Sequence, residues 1–406
     1  GSPGFFSSIM VMILTVPLGT AYTDHLTRPV DVEPAVLRWA LERGGIDLAS
    51  ATTAHPDLEA WLSRTKKPTM KQLERFGQKV HVPFGMLFLS APPAPAPIPI
   101  PDMRTPGSQG VGHPSAELVD VLRECQLRQD WYRDHMLAIG ANPVPLVGSA
   151  TLQDDTEDAG TRLREILHLD ALSGASDAFR SVLVGALEEA GVLVMISGYV
   201  GNETRRPLNP DEFRGFALAD DLAPLIFVNG TEAKTAQHFT LLHETAHLLL
   251  GHSALSDARP GRHAPYEEAW CNRVAAAALV PRVVLEQQQE RLSTEFDEVV
   301  ADVAKRCQVS RAVVVLRMKT CGLITPAAAD AQLAALARVP HPQTPAPKGG
   351  GGDYYRTARY RLGVPFTTAV VASAREGGTS YRDAFRLLGT HKREVMDTLA
   401  QKMAAA

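Results

Sequence analysis

The stretch His243-Glu244-Thr245-Ala246-His247 constrains this chain more than any other. It reads His-Glu-x-x-His inside an apolar segment, residues 239–250. Positions four apart share one face of a helix, so both imidazoles can reach a single Zn²⁺. Glu244 projects from nearly the same side, where a carboxylate can act on a water that zinc activates. Leu241, Leu242, Ala246, Leu248, Leu249 and Leu250 predict a buried helix, with Gly251 as its stop. The bland alternative is a core helix with two hydrogen-bonded histidines. It would leave several polar groups in an apolar setting needing partners.

A catalytic zinc takes a third protein ligand and keeps one position open. Residues 266–281 form the next helical segment, rich in alanine and closed by Pro281. Glu268 and Asn272 fall at i and i+4 on one face, and the small residues 275–278 allow close packing on the His-Glu-x-x-His helix. Glu268 is the expected third ligand. Glu267, roughly 100° around the helix, is the alternative and otherwise reads as a solvated surface carboxylate, the preferred reading for it. Cys271 reads as a small buried thiol rather than a ligand. A tetrahedral oxyanion would need a further donor, and Tyr266, His252 and His263 are the candidates near in sequence. Two histidines and a carboxylate suit Zn²⁺, with Mn²⁺ possible.

At 406 residues the chain has room for two or three domains with cores of their own. A net charge of −4 gives no global drive towards nucleic acid. Cys125, Cys271, Cys307 and Cys321 form no paired motif, which fits free thiols and a cytoplasmic location. The apolar run at residues 9–17 is too short to span a bilayer, so no membrane is expected.

The pattern predicts a mainly α fold with a small β-sheet, an α+β arrangement. Residues 1–30 read as an N-terminal extension and 31–90 as a string of short helices with apolar stripes at Val36, Leu37, Ala40 and Leu41, at Leu58, Trp61 and Leu62, and at Leu73, Phe76 and Val80. Residues 91–114 are a Pro-rich linker, 115–338 the main domain, 339–352 a Pro/Gly linker and 353–406 a C-terminal helical domain. Residues 115–140 predict a helix with Leu118, Val121, Leu122, Cys125 and Leu127 on its apolar side. Strands are expected at 192–196 and 224–229, the second as an edge able to pair with an extended substrate. Residues 379–389 predict a capped helix that ends at Gly389.

The main domain resembles the ImmA/IrrE family of zinc metallopeptidases. The resemblance runs through Glu212-Phe213-Arg214-Gly215-Phe216, Ala223-Pro224-Leu225-Ile226-Phe227-Val228-Asn229, His238-Phe239-Thr240-Leu241-Leu242-His243-Glu244, Glu268-Ala269-Trp270-Cys271-Asn272-Arg273-Val274 and Leu279-Val280-Pro281. It implies a zincin-like core in which His243, His247 and Glu268 bind zinc and Glu244 is the general base. It also implies a protein substrate, a repressor or another regulator, or association with toxin genes.

Residues 31–90 resemble the XRE-type helix-turn-helix domain that often precedes such peptidases, through Leu37-Arg38-Trp39-Ala40, Leu58-Glu59-Ala60-Trp61 and Pro68-Thr69-Met70-Lys71-Gln72-Leu73-Glu74. The segment 47–56 is short for that family, which would alter how the second helix is laid in the major groove. Between residues 35 and 80 basic residues outnumber acids, and Arg64, Lys66 and Lys67 are the candidate phosphate contacts of operator DNA. A solvated basic face on a dimerising or protein-binding module is the alternative. The C-terminal segment, with Tyr354, Tyr355, Arg356, Arg359, Tyr360 and Arg361, resembles the extension of longer XRE–ImmA/IrrE proteins. That resemblance implies a PIN-like toxin partner encoded nearby, and a homodimer is a further expectation. Two functions therefore compete: a zinc endopeptidase cutting a regulatory protein, and an antitoxin-like regulator with a structural or latent zinc site.

Overall fold

The structure, a computed structural model, describes residues 28–94, 100, 114–172, 179–256, 266–338 and 353–404. The chain divides into two compact units, Gly1–Pro97 and Ile98–Ala406.

Among the described residues of the first unit four helices follow one another: α1 (Pro34–Arg43), α2 (Leu48–Ala54), α3 (Leu58–Leu62) and α4 (Met70–Lys79). Sequence punctuation sets their ends. Pro34 sits in the first turn of α1, where its missing N–H costs nothing. Asp47 caps α2 by accepting from the Ser50 amide, and Thr69 with Gln72 forms a capping box on α4. The predicted stripes meet in one core of Leu37, Ala40, Leu41, Leu58, Trp61, Leu73, Phe76 and Leu87. At five residues, α3 is little more than one turn.

The second unit is three-layered around one sheet. In chain order it contains α5 (Ala116–Ala138), α6 (Thr156–Ile166), α7 (Phe179–Glu189), β1 (Leu193–Ser197), β2 (Gly215–Leu218), β3 (Leu225–Asn229), α8 (Lys234–Leu249), β4 (Ala254–Ser256) and α9 (Tyr266–Leu279). Then follow α10 (Arg282–Glu286), α11 (Phe296–Arg306), α12 (Arg311–Thr320), α13 (Pro326–Arg338), α14 (Tyr354–Leu362), α15 (Val364–Arg375), α16 (Tyr381–Leu388) and α17 (Arg393–Ala404). The result is a mainly helical architecture with one small mixed sheet, in the order β1-β3-β2-β4. β1 runs parallel to β3, while β2 runs antiparallel to both β3 and β4.

Alternation along the strands splits the core in two. Val194, Ile196, Ala217, Ile226 and Val228 face one layer, built mainly from α6 to α9, α11 and α12. Leu193, Met195, Phe216, Leu218, Leu225, Phe227 and Leu255 face the other, built from α5 and the C-terminal helices. Every strand residue is buried, as expected for a sheet covered on both faces. The capped helix expected before Gly389 is α16: Ser380 accepts from the Asp383 amide, and Gly389 ends the helix in the left-handed region at φ 63°.

Two expectations change. β3 lies between β1 and β2, so it is no edge strand; β4 is an edge in its place. The segment before β3 returns as β2 and claims its free side, a pairing with no local signature. Leu127 is exposed on α5, because five residues after Leu122 put it well off the buried stripe. Residues 1–27, 101–113 and 339–352 carried the readings of an apolar run and of linkers; these lie outside the described residues. Among the described residues no helix is long and apolar enough to cross a membrane.

Candidate metal centre

α8 is buried around its circumference, so its histidines have no water to fall back on. His243 and His247, one turn apart, bring their Nε2 atoms within 3.3 Å of each other. Glu268, in the first turn of α9, closes the group. Its Oε1 lies 3.1 Å from His243 Nε2 and its Oε2 3.3 Å from His247 Nε2. A ligand atom from each of the three residues falls within 4.8 Å of the others.

α9 can come this close because its face is small. Ala275 and Ala278 are buried in the layer shared with α8. Gly160 of α6 presses on the same helix, where an added Cβ would lie 2.5 Å from the Ala277 Cβ. The stretch 275–278 thus serves two neighbours, of which only α8 was expected.

Glu244 lies on the side of α8 that faces the sheet, and Gly215 makes room for it. A Cβ on Gly215 would stand 2.9 Å from Glu244 Oε1 and 2.8 Å from the Phe227 carbonyl oxygen. Backbone cannot yield there, so glycine is required by close approach. Ser256, paired across from Gly215, points its hydroxyl at the same place. Its Oγ lies 3.5 Å from Glu244 Oε2 and 3.4 Å from His247 Nε2. Sequence reasoning missed Ser256. It ends a three-residue strand with no periodicity, and only the β2–β4 pairing brings it home.

Burial pushes the Glu244 carboxyl up to about 7, against the downward pull of His243 and His247. Glu268 moves the other way: burial is outweighed by the two histidines, which hold its carboxyl far below the usual range. For His247, burial opposes the charged ring, yet Cys271, Glu267 and Glu268 together hold it above its ordinary value. The carboxylates that favour a proton on the His247 ring also favour a metal cation beside it. The orphaned atoms say the same: Glu244 Oε1 and His243 Nδ1 are buried without a hydrogen-bond partner, and the Glu268 oxygens face only the histidine nitrogens. Native proteins leave few such groups, so the residues present fit a bound divalent metal.

Glu267 is not the solvated carboxylate expected of it. Its Oε1 lies 3.2 Å from His247 Nδ1 and its Oε2 3.1 Å from His252 Nδ1, with the side chain only 14% exposed. It therefore orients the ring that Glu268 engages from the far side, the usual place of an outer-shell carboxylate. Cys271 is buried against His247, and burial pushes its thiol up. Asn272 shares the Glu268 face as expected, and its Oδ1 is buried and unpartnered.

The other candidates stand apart from this group. Tyr266 is 64% exposed, and its hydroxyl donates to the Leu152 carbonyl oxygen at 3.3 Å. His252 is half exposed and reaches the centre only through Glu267. His263 lies outside the described residues. In the first unit Arg64 pairs with Glu33, Lys66 with Asp57 at 2.7 Å and Lys67 with Asp31 at 2.7 Å. Asp31 and Glu33 fall just before the basic stretch as counted from the sequence, so its surplus charge was overstated.

No curated protein matches the chain. Residues 362–402, covering α15, α16 and most of α17, match a domain of unknown function, DUF8813. No family match supports the helix-turn-helix expectation for residues 31–90. Residues 187–319, from the end of α7 through α12, form an IrrE N-terminal-like domain, a metallopeptidase-like domain with His243, His247 and Glu268 as its candidate metal site.

Proposed function

We propose that the protein is a zinc-dependent endopeptidase acting on a regulatory protein. The observation that carries this reading is the convergence of His243, His247 and Glu268 with Glu244 alongside. A purely structural zinc has no use for that second carboxylate. His243, His247 and Glu268 would hold the metal, which when bound supplies Lewis acidity to a peptide carbonyl and lowers the pKa of a water. Glu244, held near neutrality by burial, takes a proton from the attacking water and passes it to the leaving amine. Ser256 Oγ steadies the Glu244 carboxylate, and Glu267 fixes the His247 ring. An extended substrate would add to the β4 edge, which ends at Ser256 beside the site.

His243, Glu244 and His247 are fully buried, and Glu268 is 3% exposed. That supports a latent enzyme, opened by a partner or signal before a polypeptide reaches the site. A toxin encoded nearby is a candidate partner. Operator binding by the first unit gains nothing from its paired basic residues.

The test incubates zinc-loaded protein with the product of the adjacent gene and reads fragments by mass spectrometry. Wild type should cut at a defined bond. Glu244→Gln should keep its zinc and lose roughly 10²–10⁴-fold in rate. Equal cleavage by both proteins would remove Glu244 from the chemistry.

A further inference from the structure

Four separate segments of the second unit meet around two buried arginines. Arg128 on α5 is 6% exposed and Arg361 on α14 is 3% exposed. Arg128 is well served. Its Nε donates to the Leu387 carbonyl oxygen at 3.2 Å, and its Nη2 lies 3.2 Å from Glu124 Oε2. Arg361 is not served: its Nη1 and Nη2 are buried without a hydrogen-bond partner. A guanidinium cannot shed its charge in a protein, and it presents its donors in a planar fork. Leaving that fork buried and empty is far costlier than leaving it in water.

Among the described residues the neighbourhood does not supply the missing anion. Burial and then Arg128 push Arg361 below its usual range, and Tyr354, Tyr199 and Glu124 oppose them. Glu124 is already paired with Arg128 and is 38% exposed. Two guanidinium groups thus share one carboxylate. A Cβ on Gly389 would stand 3.3 Å from Arg361 Nη1 and 3.1 Å from Asn202 Nδ2, so these two nitrogens flank one point. Asn202 is an exposed residue whose amide donates to the Gly389 carbonyl oxygen at 2.6 Å.

We propose that Arg361, with its empty fork beside Gly389, binds an oxyanion, a carboxylate or a phosphoryl group, beneath Asn202. Such an anion would match the fork of Arg361 with two oxygens, the geometry in which guanidinium binds most strongly. It would fasten the C-terminal helices to the end of the IrrE-like domain's β1, far along the chain from the metal ligands. The site stands independently of the peptidase reading.

Thermal unfolding with inorganic phosphate, with acetate and with sodium chloride at matched ionic strength tests this. Anything that binds only the folded state raises its stability by mass action. Phosphate or acetate should raise the unfolding temperature of wild type above the chloride control, and Arg361→Met should lose that increment. An increment with phosphate alone identifies a phosphoryl group, and one with both identifies a carboxylate-type site. His243→Ala should keep the increment, which separates this site from anion binding at the metal. If Arg361→Met does not fold, calorimetric titration of phosphate and of acetate into His243→Ala reads the same binding directly. No increment with either anion in wild type, no heat in that titration, or an increment that survives in Arg361→Met, would overturn the proposal.

Discussion

The first unit and the IrrE-like domain treat charge in opposite ways. In the first unit the basic residues lie at the surface and each candidate finds an acid: Arg64 with Glu33, Lys66 with Asp57, Lys67 with Asp31. Lys66 is 55% exposed and Asp57 35%, so water screens what the pair gains. In the IrrE-like domain two histidines and two carboxylates are buried together, and several of their polar atoms have no partner. Folding alone does not favour that arrangement, because each unsatisfied buried group costs about 1–3 kcal/mol. A cluster that stays unsatisfied inside a well-packed core is poised for something the chain does not carry. Paired surface charge asks for nothing further; unsatisfied buried charge is evidence of a ligand.

The sharpest probe of this contrast short of the metal ligands is Glu267→Gln. Removing the outer carboxylate from His247 and His252 should weaken zinc binding by about 10- to 100-fold, read by competition with a chelator. Unchanged affinity would mean that His247 is oriented by its packing alone.

A half-buried carboxylate extends the comparison beyond the metal centre. Glu188, at the end of α7, is pushed up to about 7 by burial, against the Val364 amide it accepts from and the charge of Arg359. A folded-state value above the ordinary 4.5 means that the native protein holds the proton more tightly than the unfolded chain. The stabilisation is therefore full below about pH 4.5 and is lost as pH rises through about 7. Glu188→Gln should remove this slope, so its advantage over wild type should grow to about 2–3 kcal/mol by pH 8. Urea midpoints from pH 5 to 8 decide it, and parallel curves for the two proteins would refute it.

The smallest effect belongs to the first unit. Lys66→Ala should change stability by only about 0–1 kcal/mol, and by less in high salt. A loss well beyond that would show that the paired surface charges hold the short helices together, and the contrast between the two regions would fail.

Much of this was legible in the sequence where local rules decide. The i, i+4 spacing of His243 and His247 placed both on one face of α8, and the 100° step of a helix separated Glu268 from Glu267. Capping residues and a closing glycine placed α16. What escaped depends on partners distant in sequence. β3 is central because β2 claims its other side, and Ser256 reaches Glu244 only through strand pairing. Glu267 is held inside by a histidine contributed from the preceding helix. Gly215 was quoted within a motif, but its reason, the close approach of Glu244, exists only in the folded core.

The measurement that tests the central claim most directly is metal content by mass spectrometry on purified wild type, Glu244→Gln and Glu268→Ala. The account predicts about one zinc per chain in the first two and loss of bound zinc in the third, since two histidines alone leave a structural or catalytic site short of ligands. No metal in wild type, or zinc retained in full by Glu268→Ala, would contradict the assignment of His243, His247 and Glu268 as the metal centre.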